Sequence, residues 1–481
     1  MSDSTFDIHD GNNQIAPNAT HLNQIYFGDQ FARTLLGCQD TPPTLVVLGA
    51  GADTTMGLPT SANLIPCIVE YLETEEGRAI DAILRKAIGH VRFHFDKFVS
   101  NAIERLAKDL DRELVTICHD ISEELEQNTS LDEHQRKMGA LIVRLFHKVI
   151  DIKMGATIDP ETETLITEVF DTVVRDDTII DFSHLNYTDT FKGIIIEILQ
   201  KSMHESSNPI LRHVYRNILD IEQLLSQYFY GFYTSRTSQV RDYLYISWIL
   251  WAYLVSQEQR IHQESCKEST SAPSAPGLYA QLTGADIQLL TFNYTTFARH
   301  ASSTALYFHG SLMEYVDVEN KNDLQIDDLT TLDLVDFFQS RLAQEISLGP
   351  GHRAIPIPSF LPPLKLKPVI SKRYIDIWYR ASQLMLRAGQ IVVIGYSFTS
   401  ADAYFCDMLR ENRDARIVVI DSNIDLVSRN LCHILQLHPD RYTRQVISGH
   451  EHRIYDNRLT IIGADISDLD MQTMLDTLSV R

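Results

Sequence analysis

The sequence predicts an α/β protein built on a doubly wound, Rossmann-like parallel sheet interrupted by a large helical insertion. Three observations carry this expectation. Short apolar runs recur at Thr44–Leu48, Ile287–Phe292, Ile391–Ile394, Ile417–Ile420 and Leu459–Ile462, as strands buried on both faces do. A glycine-rich turn, GAGADTTMGLP over Gly49–Pro59, follows the first run directly. Between the first and second runs, the apolar positions keep a helical period instead.

In chain order, residues 1–37 are polar and asparagine-rich, with GNNQIAPN at Gly11–Asn18 and too few β-branched and aromatic residues for a core. They read as a floppy leader, or as an arm whose alternating segment Leu22–Phe27 pairs with the sheet edge of another subunit. In Gly49–Pro59 the glycines serve either a tight turn or the approach of backbone to a pyrophosphate, with the N–H groups of the next helix facing the anion. From 71 to 263, Ile80, Ile83, Leu84, Ala87, Ile88 and Val91 keep the i, i+3, i+4 spacing of amphipathic helices. Ile103, Leu106, Leu110, Leu114 and Ile117 do the same. Such helices pack as a bundle. Its apolar run Tyr243–Val255 is shorter than the roughly 20 residues that cross a bilayer, so a buried helix is expected there.

The Ser/Pro-rich stretch 264–276 reads as a linker closing the insertion. Residues 38–70 and 277–481 then make one α/β domain. Beyond the linker, a helix-sized stretch at Ser400–Asn412 separates two apolar runs, a βαβ unit that implies a parallel sheet. The first strand must join that sheet across the insertion. Ligands of such sheets sit beyond the C-terminal strand ends. Gly49–Pro59, TFNYT at Thr291–Thr295 and FHGS at Phe308–Ser311 all fall there.

Bulk properties narrow the function. With 481 residues the chain exceeds one ordinary core, so two domains, or one with an insertion, are expected. A composition of 44% hydrophobic and 22% charged residues is that of a soluble globular protein. The net charge of -22 argues against direct nucleic-acid binding, which needs a basic face. Cys38, Cys67, Cys118, Cys266, Cys406 and Cys432 are scattered with no Cys-x-x-Cys pair. That excludes a zinc ribbon and suits free thiols in a reducing compartment. No charged-then-apolar leader is seen, so a cytoplasmic location with no membrane contact is expected.

GAGAD…GLP, TFNYT and FHGS, in that order, resemble the sirtuin-like NAD-consuming family, specifically its bacterial branch that destroys NAD in anti-phage defence. The GYSF loop at Gly395–Phe398 and RIVVIDSN at Arg416–Asn423 extend the resemblance, which covers roughly residues 40–70 and 277–470. It implies a sheet of the sirtuin-like type and NAD as substrate. By resemblance, Gly49, Ala50, Gly51, Asp53, Gly57 and Pro59 of the first loop bind the dinucleotide. Gly395 and Ser397 of the second loop join them, with Asn423 on a ribose. Two positions depart from the family pattern. Asp53 stands where many relatives have serine, and Thr295 replaces the aspartate common after Asn-Tyr or Asn-Ile. A carboxylate beside phosphates is repelled unless turned away.

Cleaving the nicotinamide–ribose bond builds positive charge on the ribose. The leaving group is already cationic, so the site needs neither a strong acid nor a metal. It must orient the ribose, admit a water or ribose hydroxyl, and take up its proton. His309 is the expected general base, because imidazole titrates near neutral pH. Asn293 is expected to hydrogen-bond the ribose hydroxyls or the attacking water, and to cap a helix as an alternative or additional role. Ser397 reads as a helix N-cap or a ribose or phosphate contact. Asp402 reads as an acidic residue at a helix N-terminus. His300 and His352 lack ligand spacing and read as structural.

The expectation is an NAD+ glycohydrolase releasing nicotinamide and ADP-ribose, acting as an abortive-infection effector. An NAD-dependent protein deacylase and a non-catalytic NAD or ADP-ribose sensor are the alternatives. An unrestrained NAD hydrolase empties its own cell, so a homo-oligomer gated by assembly or by a partner is expected. The resemblance offers a HerA-type ATPase, a short Argonaute or a phage structural protein as that partner.

Overall fold

The computed structural model describes residues 43–59, 64–108, 110–128, 131–153, 210, 221–233, 237–268, 276–283, 285–349, 353–361, 372–398, 402–456 and 458–471. The arm expected over residues 1–37 lies outside them.

Strand β1 (Thr44–Leu48) leads into a short helix α1 (Gly51–Thr54) and then the helical insertion. The insertion comprises α2 (Leu64–Leu72), α3 (Glu75–Ile88), α4 (Phe95–Lys108), α5 (Leu110–Gln127), α6 (Glu133–Lys153), α7 (Ile221–Tyr233) and α8 (Thr237–Glu268). Helix α3 shows why these segments are helical. The Thr74 hydroxyl accepts from Gly77 N at 3.0 Å, and Glu75 and Glu76 occupy the positive first turn. Ile80, Leu84 and Ile88 form its buried i, i+4 stripe, and Gly89 ends it with φ +61°. The apolar series from Ile103 to Ile117 is split between α4 and α5 rather than lying on one helix.

Helix α8 organises the insertion. Every residue from Tyr243 to Val255 is buried. The indole N–H groups of Trp248 and Trp251, which burial would otherwise leave unpaired, donate to Pro356 O and Leu312 O, each at 2.8 Å. Residues 264–268, expected in the linker, are instead the C-terminal end of this helix.

After α8 come α9 (Gly277–Leu282), β2 (Ile287–Thr291), α10 (Phe297–Ala301) and β3 (Leu306–Tyr307). A small antiparallel sheet follows, β4 (Glu314–Asp317), β5 (Asn322–Gln325) and β6 (Pro356–Pro358), in the order β5-β4-β6. The chain returns through α11 (Lys372–Arg387), β7 (Gln390–Ile394), α12 (Ala403–Glu411), β8 (Arg416–Asp421) and α13 (Ile424–Leu435). It ends in β9 (Thr443–Ile447), β10 (His450–Tyr455) and β11 (Leu459–Gly463).

The main sheet has eight strands in the order β3-β2-β1-β7-β8-β11-β10-β9. All five apolar runs are strands of it, and the six strands from β3 to β11 are mutually parallel. Val46 pairs with Leu289 on one side and Val392 on the other. Alternate residues serve opposite faces: Leu45, Val47, Ile391 and Val393 belong to one buried core, Val46, Leu48, Val392 and Ile394 to another. The sheet is therefore doubly wound. The chain leaves β1 toward β2 and β3, then crosses back to β7, so a topological switch point lies between β1 and β7.

Candidate active site

The loops after β1 and β7 meet at that switch point. Gly49 N donates to Ile394 O and Gly51 N to Gly395 O, both at 2.9 Å. A Cβ on Gly49 would lie 2.4 Å from Gly395 O, and one on Gly395 (φ +62°) 2.6 Å from Ala52 N. These three glycines let two backbones touch, a requirement present before any phosphate approaches. Ala50 is exposed at the loop tip, and Pro59 is half-buried. Gly57 has φ +82°, a left-handed conformation that only glycine adopts without strain.

Asp53 does not line the loop's outer face. Its side chain is turned inward and buried, accepting from the Tyr279 hydroxyl and from Thr295 Oγ1 at 2.7 Å. Burial pushes its pKa up to about 6 despite these hydrogen bonds. The carboxylate expected among the cofactor contacts is thus a structural anchor. Aspartate at 53 and threonine at 295 form one hydrogen-bonded pair joining the β1 and β2 loops.

Asn293 and His309 follow β2 and β3. Asn293 Nδ2 donates to Gly49 O at 2.9 Å and reaches the Tyr279 hydroxyl at 3.4 Å. It ties down the glycine loop, and Thr296 rather than Asn293 is the cap residue of α10. His309, 6% exposed, places Nε2 2.8 Å from Asp402 Oδ1. The other Asp402 oxygen accepts from the Tyr396 hydroxyl at 2.7 Å. Tyr396 is held by a stack on Phe292, with ring centroids 4.4 Å apart. Asp402 occupies the cap position of α12 but makes no capping hydrogen bond. Its carboxylate serves His309 instead of a helix end. The next residue, Gly310, has φ +91°, and a Cβ there would lie 1.7 Å from Ser359 O.

Asp402 escaped sequence reasoning as the partner of His309 because the two are separated by 93 positions. Glu258 was also missed. It reaches the site from α8, buried, and accepts from Thr296 N at 3.0 Å and from the Thr296 hydroxyl. Burial pushes its pKa up to about 7. The insertion and the loops after β1 and β2 thus meet in a buried acidic cluster, Asp53 and Glu258.

The remaining predicted residues lie along the same strand ends with local roles. The Ser397 carbonyl accepts from Asn430 Nδ2 at 2.8 Å. Asn423 is exposed and caps α13 through Leu426 N at 3.0 Å. Beside it, burial raises the pKa of Asp421. His300 stacks on His262, and His352 lies outside the described residues. Among the described residues, Cys67, Cys118, Cys406 and Cys432 are free thiols, and no cluster of three His, Cys, Asp or Glu side chains is placed to hold a metal. No described helix is long and apolar enough to cross a membrane.

No family model and no curated protein matches the chain. Among solved structures, it is similar to a sirtuin studied for substrate affinity, with 15% identity over 47% of this chain and 83% of that one, and a TM-score of 0.27. A complex of a Sir2 homolog with NAD shares 13% identity over 43% and 77%, with a TM-score of 0.26. A further sirtuin substrate-affinity structure aligns with 93% of this chain and 98% of its own at 10% identity and a TM-score of 0.28.

Proposed function

We propose that this chain is an NAD+ glycohydrolase of the sirtuin-like type, releasing nicotinamide and ADP-ribose. The observation that carries the reading is the hydrogen-bonded array Tyr396–Asp402–His309 beside the interlocked glycine loops of the switch point. The resemblance of GAGAD, FNYT and FHGS to the NAD-consuming family supports the choice of substrate. With Asp402 ionised, Nε2 of His309 carries its hydrogen toward that carboxylate. Nδ1 is then the nitrogen that accepts a proton from the attacking water or hydroxyl. Asp402 stabilises the resulting imidazolium, and Tyr396 holds Asp402 in place. Asn293 acts through Gly49, fixing the loop that faces the dinucleotide.

His309 and Asn293 are both nearly buried, so substrate reaches them only when the loops part. This supports a gated enzyme, with a homo-oligomer or a sensor protein as the gate and anti-phage defence as the setting. An isolated monomer cleaving NAD at full rate would contradict the gating.

One observation favours a deacylase as the second reading. Ile375, Tyr379 and Tyr404 are exposed, and Trp378, stacked on Tyr404, donates to Phe308 O. An apolar surface therefore adjoins His309, where an acylated peptide would lie. Measuring nicotinamide release with and without such a peptide separates the two. Turnover that needs the peptide rejects the hydrolase, and NAD binding without turnover rejects both.

A further inference from the structure

Away from the strand ends, the surface of the helical insertion carries an open pocket of about 500 Å³ lined by His90, Val91, Arg92, Ser238 and Arg241. That volume lies in the range of small-molecule sites. Two segments build it. Ser238 and Arg241, near the start of α8, lie three residues apart on one helix face. Gly89 and His90, with φ of +61° and +52°, turn the chain back onto α8 after α3. Asp242 pins this second segment, its Oδ1 accepting from Arg92 N at 2.8 Å and Phe93 N at 3.0 Å.

Arg241 Nε is buried without a hydrogen-bond partner, an arrangement that native proteins rarely keep. Among the described residues, neither Arg92 nor Arg241 joins an ion pair. The neighbouring acids are engaged, Asp242 by backbone N–H groups and Asp81 by Arg85. Among the described residues, the lining holds two arginines, a histidine and a serine and no acidic residue, in a chain of net charge -22. Guanidinium forks match phosphate oxygens with paired, charge-assisted hydrogen bonds.

We infer that this pocket binds a small phosphorylated molecule carrying at least a diphosphate, at a site separate from the candidate NAD site. The same helix α8 carries Arg241 here and Glu258 to the catalytic loops, about 25 Å further along its axis at 1.5 Å per residue.

The test titrates inorganic pyrophosphate into the full chain at low ionic strength, read by calorimetry and by hydrogen–deuterium exchange. The expected result is saturable binding, with protection of residues 89–93 and 237–242. Arg92→Ser, at an exposed position, should weaken binding about tenfold while leaving the melting temperature unchanged. Arg92→Ser combined with Arg241→Gln should weaken it further. Absence of saturable binding, protection confined to the Gly49–Gly57 loop, or wild-type affinity in the Arg92→Ser chain would each overturn the inference.

Discussion

Glu258→Gln tests how the insertion is joined to the loop after β2. The Glu258 carboxylate is 1% exposed and accepts from both the backbone and the hydroxyl of Thr296. Burial is the largest influence on it. Together with the negative charge of Asp53, it outweighs the hydrogen bonds and lifts the pKa from 4.5 to about 7. Between those values the folded chain holds a proton that the unfolded chain has released. The contribution of Glu258 to stability is therefore fully present below pH 4.5 and is lost as pH rises to 7. At about 1.4 kcal/mol per pH unit, the loss is about 3 kcal/mol. Glutamine keeps an acceptor for Thr296 N and does not titrate. The variant should gain about 3 kcal/mol relative to wild type between pH 4.5 and pH 8, a shift of several degrees in melting temperature. Thermal melts of both proteins across that range provide the assay. A difference between the two that stays constant with pH would refute the burial argument.

Three further substitutions probe the site itself. Asp402→Asn keeps the shape but loses the charge facing His309, so nicotinamide release should fall roughly a hundredfold or more with an unchanged circular-dichroism spectrum. Asn293→Ala frees the carbonyl of Gly49 and should lower kcat/KM for NAD roughly a hundredfold, measured from initial rates. Gly310→Ala forces a Cβ against the Ser359 backbone at a left-handed φ, and should cost several kcal/mol, visible as a lowered melting temperature or loss of soluble protein.

The parallel core was legible because burial on both faces leaves short apolar runs with no alternation. All five runs became strands, and Tyr243–Val255 became a buried helix. The hairpin β9–β10 was not legible. Every residue of TRQVI at Thr443–Ile447 is exposed, so no burial pattern marks it. The strands of the small sheet are three or four residues long, again without a run to notice. At the site, His309, Asn293 and the glycine loops could be named from their motifs. Their partners could not, since Asp402 and Tyr279 reach them only through the folded topology, as Glu258 reaches Thr296. Asp53 shows the same limit, because a position in a loop does not tell which way a side chain turns.

The most direct test of the account is NAD cleavage by the purified chain, alone and with a candidate partner, set beside His309→Ala. The account predicts equal amounts of nicotinamide and ADP-ribose from the wild-type protein, with no acylated peptide required. It predicts none above background from a folded His309→Ala chain. Full turnover by that variant would contradict the assignment of His309 as the general base.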